Sequence, residues 1–232
     1  MRLHIAVIVL AGVLVYGTGL SGPLLFDDET SILNNTSIRQ LTPLSGPLSP
    51  PRDTPVAGRP VVNLTFALNY AIGGLDVTGY HVTNLVVHLL AALVLYGIVR
   101  RTLRTRQAPS EFNHDADYVA LAAAVLWVVH PLNSESVSYL TERTESMMGL
   151  FYLLTLYASI RAATASKTDG LAGAWTALAV AASALGMASK ESMVTAPVMV
   201  LIFDRVFLYK SWREAWTERR ALYAGLAAPT IG

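Results

Sequence analysis

Residues 3–20 form an apolar run whose only ionisable interruption is His4. About 20 apolar residues cross a bilayer as a helix. Further apolar runs follow at 80–99, 118–129, 147–160, 171–188 and 192–208, the last with Asp204 and Arg205 near its end. Residues from Ala221 onward read as the first turns of another span, which predicts about six to seven transmembrane helices and an N-terminal piece of a longer protein. The chain of 232 residues is therefore expected to be all-α, a polytopic membrane helix bundle forming one membrane-embedded domain over 1–232. Composition agrees. Charged residues are 14% of the chain, against about 25% in a soluble domain, and mean hydropathy is +0.45. These values exclude a disordered chain and argue against a soluble globular one.

A cleaved signal peptide is the rival reading of the first run. Such h-regions span about 7–15 residues and end at a small-x-small site. This run is longer, and Gly17-Thr18-Gly19 is a poor cleavage site. The third, fourth and sixth runs are short. Short or polar-interrupted helices survive where protein rather than lipid surrounds them, so the bundle is expected to have a polar interior. With no cysteine there is no disulfide framework, thiolate metal site or cysteine nucleophile.

The positive-inside rule orients the spans. With the N-terminus in the cytoplasm, the inner face holds Arg2, Arg100, Arg101, Arg104, Arg106, Arg161, Lys167, Arg205, Lys210, Arg213, Arg219 and Arg220, 12 of the 17 basic residues. The other face holds Arg39, Arg52, Arg59, Arg143 and Lys190. That face also carries nine of the 16 acids: Asp27, Asp28, Glu29, Asp53, Asp76, Glu135, Glu142, Glu145 and Glu191. An acidic extracytoplasmic or lumenal face and a basic cytoplasmic face follow.

The first outer loop, residues 21–79, begins with Phe26-Asp27-Asp28-Glu29 and passes through a Pro/Ser-rich stretch at 41–60. Prolines 43, 47, 50, 51 and 55 make that stretch extended or irregular. Residues 61–72 are apolar but too few to span as a helix. They predict a helix lying in the interface or docked on the bundle. Asn-x-Ser/Thr sequons stand at Asn34, Asn35 and Asn63, weak signals that matter only in a secretory pathway.

Three consecutive acids at the end of a membrane helix have a bland explanation, solvated charge that stops the helix from sinking. Their functional explanation is chemistry at the membrane surface. Crowded carboxylates do not all ionise freely, and a raised pKa suits a general base. A divalent metal held through oxygen is the other use of such a cluster, but no second dense acidic cluster accompanies it. His130-Pro131 reads alone as a helix terminator. It is followed by Glu135, Glu142, Arg143 and Glu145, and Ser189-Lys190-Glu191 adds a cation beside an acid at membrane depth. Charges there usually face a polar cavity, although Lys190 also has the reach to snorkel. Arg143 offers a planar fork for a carboxylate or phosphate, and Arg59 is a third outer cation. Together these residues suit a substrate with a phosphate head and an acceptor that must lose a proton. His81 and His88, seven apart, read as packing or hydrogen-bonding residues. The run Arg100–Arg106 reads as an orientation signal, and nothing supports nucleic-acid binding.

Several short strings then align in order: Phe26-Asp27-Asp28 with Ile32-Leu33-Asn34-Asn35; Arg59-Pro60-Val61-Val62-Asn63-Leu64-Thr65-Phe66; Gly79-Tyr80-His81-Val82-Thr83-Asn84-Leu85; Val129-His130-Pro131 with Glu135; Glu142-Arg143-Thr144-Glu145; Ser189-Lys190-Glu191; and Asp204. In this order and spacing, over about residues 24–205, the chain resembles the N-terminal membrane half of the transmembrane and tetratricopeptide-repeat (TMTC-like) O-mannosyltransferases and their bacterial relatives, of the GT-C type. The resemblance implies a polyprenyl- or dolichyl-phosphate sugar such as mannose as donor, and a hydroxyl acceptor on protein. It implies an acid of the first outer loop, Asp27 or Asp28, as the inverting base. It further implies a family pattern that continues with more helices and repeats of about 34 residues. On chemical grounds Arg59, Arg143 and Lys190 are candidates for holding phosphate. His130, Glu135, Glu145 and Glu191 complete the candidate substrate site, with no metal or other cofactor expected. The membrane would be the bacterial inner membrane or the endoplasmic reticulum, according to organism. The alternative is a transporter or channel subunit whose pathway the same charges line, and a non-catalytic membrane scaffold is a third reading.

Overall fold

The computed structural model describes residues 1–105, 107–109, 111–165 and 170–228. Arg106 and Lys167, counted above on the basic face, and the end of the expected seventh span lie outside the described residues. Among those described the chain is all-helical, with no strand. Its helices are α1 (Arg2–Tyr16), α2 (Pro60–Gly73), α3 (Val77–Thr102), α4 (Glu111–Val128), α5 (Ser134–Ser138), α6 (Arg143–Thr164), α7 (Leu171–Met187), α8 (Ala196–Phe203) and α9 (Trp212–Ala227).

Three segments are long and apolar enough to cross a membrane: Arg2–Gly19, Val77–Thr102 and Leu140–Thr164. A fourth results if α4 and the following Pro131–Ser138 segment, bent by 52°, count as one span. Helix α7 is apolar but has 17 residues. Helix α8 has eight residues and runs into a wide helical turn at Asp204–Leu208. The chain is thus an all-helical membrane protein.

Helix α3 is the axis of the bundle, packed by α1, α2, α4 and α6, while α7 lies along α6. Its 26 residues reach about 39 Å. Helix α1 buries only Ile8, Gly12 and Tyr16, a single i, i+4 stripe. Gly12 permits the close approach, since a Cβ there would stand 2.5 Å from Leu89 Cδ2. The other faces of α1, with Leu3, Leu10 and Leu14 exposed, are apolar.

Helix α4 begins seven residues before the apolar run, with Glu111, His114, Asp115 and Asp117 in its first turns. These charges mask the helix in the sequence. Arg100 of α3 and Arg104, just past its end, both pair with Asp117 and hold that end in place. The end of α4 before His130-Pro131 is as expected. Helix α9 begins at Trp212 rather than Ala221, and packs its buried Leu222, Tyr223 and Leu226 with Ala179 of α7 and Val200 of α8.

Residues 61–72 lie within the helix α2, which has Pro60 in its first turn. Its Val62, Phe66 and Ala67 are buried in a cluster with Ile32, Ile38 and Val56 of the preceding segment, Tyr80 and Val87 of α3, and Leu140 and Met147. The irregular segment is therefore anchored. Asn63 Nδ2 donates to Ser37 Oγ (2.9 Å) and Pro47 O (2.8 Å), and Asn35 Nδ2 donates to Asn63 Oδ1 (2.8 Å). Of the three sequon asparagines, Asn35 and Asn63 are buried and Asn34 is exposed.

Candidate active site

After α1 the chain makes a tight turn at residues 25–28. Asp28 N–H donates to Leu25 O at 2.8 Å, and Leu25 N–H donates back to Asp28 Oδ2 at 2.9 Å. Phe26 takes φ +39°, uncommon for a residue with a Cβ. Such strain persists where the surroundings over-determine it, and here they do. Asp28 is fully buried, and its Oδ1 accepts from both Thr141 N–H and Thr141 Oγ1, each at 2.7 Å. Asp27 N–H donates to Tyr139 Oη at 3.0 Å, and the Phe26 and Tyr139 rings meet edge to face with centroids 6.4 Å apart.

The two adjacent acids consequently differ. The Asp28 carboxylate is enclosed and bonded by three donors. The Asp27 residue is exposed and is held by its backbone, through Tyr139. Burial, reinforced by the charges of Asp27 and Asp28, raises the Tyr139 phenol above its ordinary pKa, so Tyr139 stays a neutral hydroxyl at physiological pH.

Arg143, the first residue of α6, points inward. Its Nε donates to Asn84 Oδ1 (2.7 Å), its two terminal nitrogens to Asn69 Oδ1 (2.7 Å), Thr65 Oγ1 (3.1 Å) and Tyr80 O (2.8 Å). The guanidinium also lies 4.5 Å from the Phe66 ring centroid. It is wholly buried. Burying a charge is costly unless its hydrogen bonds are made, and here four are made, to acceptors on α2 and α3. Asn84 in turn donates to Val137 O and Tyr139 O, both at 3.4 Å. Arg143 therefore does not face a ligand; it fixes α2, α3 and the 137–141 segment beneath Asp27 and Asp28.

Four further candidates form two cation–acid pairs. Lys190 Nζ pairs with Glu145. Arg59 lies 3.7 Å from Glu191 Oε2 and donates to Pro55 O at 2.7 Å. The α2 start docks there, with Val61 N–H on Ala188 O at 3.3 Å. Glu142 stands within electrostatic reach of Glu145, Lys190, Glu135 and Arg59, and so links the two sides. A hydrogen bond from its own backbone N–H and, after it, the neighbouring cations Arg59 and Lys190 hold the Glu191 carboxyl below its usual range.

Two clefts flank α5. One, of about 460 Å³, has an apolar floor at Ala91, Met148 and Leu153, rings from Trp127 and Tyr152, and a polar rim of Asn133, Ser136, Glu145, Ser146, Ser192 and Thr195. The other, of about 380 Å³, is formed by Leu25, Phe26, Ser134, Glu135, Ser138 and Tyr139. Glu145 and Glu135 thus reach the first and second cleft respectively. His130 is exposed at the break after α4, where its Nδ1 accepts Leu132 N–H at 3.3 Å, and it lines neither cleft. His81 bonds Gly22 O (3.1 Å), and His88 bonds Val128 O (2.9 Å) while stacking on Trp127. Among the described residues no three His, Asp or Glu side chains converge to hold a metal ion.

Tyr139, Thr141 and the hydroxyl rim escaped the sequence reading. They are neutral and common, and only their contact across 112 and 113 positions marks them.

Residues 53–231 match the family described as dolichyl-phosphate-mannose-protein mannosyltransferase. The matched stretch begins after Asp27 and Asp28. Human protein O-mannosyl-transferase TMTC4 is 27% identical over 216 residues, covering 85% of this chain and 28% of the human protein. Protein O-mannosyl-transferase F38B6.6 of Caenorhabditis elegans is 29% identical, over 68% of this chain and 23% of its own length. Protein O-mannosyl-transferase Tmtc1 of Drosophila melanogaster is 30% identical, over 82% of this chain and 21% of its own. The chain thus spans less than a third of each of these relatives. No solved structure matches it. On the family match and these relatives, the chain belongs to the dolichyl-phosphate-mannose-protein mannosyltransferase family and is a TMTC-like, GT-C-type member of it.

Proposed function

We propose that the chain is the N-terminal membrane portion of a glycosyltransferase that moves a sugar, mannose by analogy with its relatives' names, from a polyprenyl or dolichyl phosphate to a hydroxyl on protein. The observation that carries the reading is the unequal pair: Asp28 is consumed by Thr141 and Leu25, whereas Asp27 keeps an exposed carboxylate on a strained, clamped turn. Asp27 is the base and Asp28 the residue that positions it.

In this reaction Asp27 takes the proton of the acceptor hydroxyl. The acceptor oxygen attacks the anomeric carbon and forms the new C–O bond with inversion. The bond from that carbon to the phosphate oxygen breaks, and its electron pair leaves on the lipid phosphate. Lys190 and Arg59 compensate that charge, each kept in place by an acidic neighbour, Glu145 and Glu191. Arg143 supports the floor. Glu135, on the rim beside Phe26 and Tyr139, orients the acceptor. Six to seven spans, with residues 21–79 on the extracytoplasmic or lumenal side, place this end at the surface where lipid and acceptor meet. The compartment is the bacterial inner membrane or the endoplasmic reticulum.

The test is sugar transfer by the full-length protein. Asp27→Asn is expected to lower the rate by about two to four orders of magnitude, the usual worth of a general base, with an unchanged melting temperature. Asp28→Asn is expected to lower the melting temperature as well, because hydrogen bonds to a charged group contribute roughly 1.5–3 kcal/mol. Full activity of Asp27→Asn would overturn the assignment.

A further inference from the structure

At the other end of α3 and α6, opposite Asp27 and Arg143, an apolar groove of about 450 Å³ opens between α1, α3 and α6. Leu90, Leu93 and Val94 form one wall, and Leu154 and Ile5 face them. From Leu90 to Arg101 along α3 the groove extends about 16 Å. Its mouth is basic: Arg100, Arg101 and Arg161 line it, and a smaller cavity of about 200 Å³ continues from it to Arg104 and Thr164.

The arginines of this mouth are not equivalent. Arg100 and Arg104 share Asp117. Arg101 and Arg161 have no carboxylate at ion-pair distance among the described residues. Aromatic rings hold them instead. Arg101 lies 5.5 Å from the Tyr157 ring centroid, and Arg161 lies 4.2 Å from that of Trp175 while donating to Tyr157 Oη at 3.3 Å. Ring contacts fix a guanidinium without neutralising it. An orientation signal needs positive charge near a helix end. It does not need two guanidinia fixed by aromatic rings at the mouth of a slot of hydrocarbon-lining side chains.

We propose that this groove binds one anionic phospholipid of the adjacent leaflet, an acyl chain along Leu90–Leu93–Leu154 and its phosphate between Arg101 and Arg161. An aliphatic chain matches the wall, and a negative head matches the two guanidinia. Basic pockets between membrane helices take such headgroups. The site is independent of the transferase reading and stands whichever reaction the opposite end performs.

Purified protein in mild detergent would be titrated with dioleoylphosphatidylglycerol and, separately, dioleoylphosphatidylcholine, with bound lipid counted by native mass spectrometry. Two arginines near an anionic lipid predict about a 30-fold preference for phosphatidylglycerol. Arg101→Gln with Arg161→Gln would reduce the preference to near unity, whereas Arg2→Gln, an exposed cation outside the groove, would leave it unchanged. Leu90→Trp fills the slot with every cation intact and would weaken both lipids at least tenfold. Millimolar inorganic phosphate would not displace the lipid, because the chain contributes to binding. Equal affinity for the two lipids in the unaltered protein, an unchanged preference in the double variant, or unchanged affinity in Leu90→Trp would each overturn the proposal. The Leu90→Trp result decides if the double variant does not fold.

Discussion

Arg143 at the start of α6 and Arg219 in the middle of α9 are both buried, and they are satisfied in opposite ways. Arg219 donates to both carboxylate oxygens of Asp204, at 2.6 and 2.7 Å, and to Ser159 O at 2.7 Å; Tyr223 Oη donates to the same carboxylate at 2.6 Å. That charge is closed within a pair. Arg143 meets only neutral acceptors, two amides, a hydroxyl and a carbonyl. Its positive charge is left to act on the acidic end as a whole, within electrostatic reach of Asp28. One end of the molecule uses a carboxylate to fasten a helix. The other fastens its helices with amides and leaves carboxylates over. The difference separates a joint from a candidate site more cleanly than charge alone does.

The comparison breaks most visibly if Asp204 is removed. Asp204→Ala leaves Arg219 buried without its counter-ion, and a loss of about 3–5 kcal/mol is expected in detergent unfolding. Asp204→Leu combined with Arg219→Leu would recover much of it, since an apolar replacement of a buried pair is often neutral. Arg143→Met should cost less, roughly 1–3 kcal/mol for the acceptors it strands. No single second substitution would rescue it, because those acceptors sit on residues 65, 69, 80 and 84. Rescue of Arg143→Met by one partner change would erase the distinction. The smallest effect belongs to Tyr139→Phe. Loss of the acceptor for Asp27 N–H would cost about 0.5–1.5 kcal/mol of stability and lower transfer in the full-length protein more than it lowers the unfolding midpoint. Equal behaviour of Tyr139→Phe and the unaltered protein in transfer would remove Tyr139 from the site.

Helix α3 was legible because its apolar run and its flanking charges agree, and α2 because a proline opens a run too short to span. The early start of α4 was not. Its charged first turns argue against a membrane helix until Arg100 and Arg104, at the end of another helix and just past it, are seen to pair with Asp117. The acidic end was legible as a composition of carboxylates and cations, which the structure pairs as Lys190 with Glu145 and Arg59 with Glu191. Their roles were not. Nothing local separates Asp27 from Asp28; Thr141, 113 positions away, does. Arg143 has the chemistry of a phosphate fork, and only the placement of four neutral acceptors turns it inward.

The buried asparagines carry a practical consequence for anyone producing the protein. An N-linked glycan is attached through the side-chain nitrogen, and in Asn63 that nitrogen already gives both its hydrogens to Ser37 and Pro47. Decoration and native packing exclude each other at this position, as at Asn35. A host that sugars the chain before it collapses would trap it open, so Asn63→Gln is no safe remedy and removing the hydroxyl with Thr65→Val sacrifices a contact of Arg143.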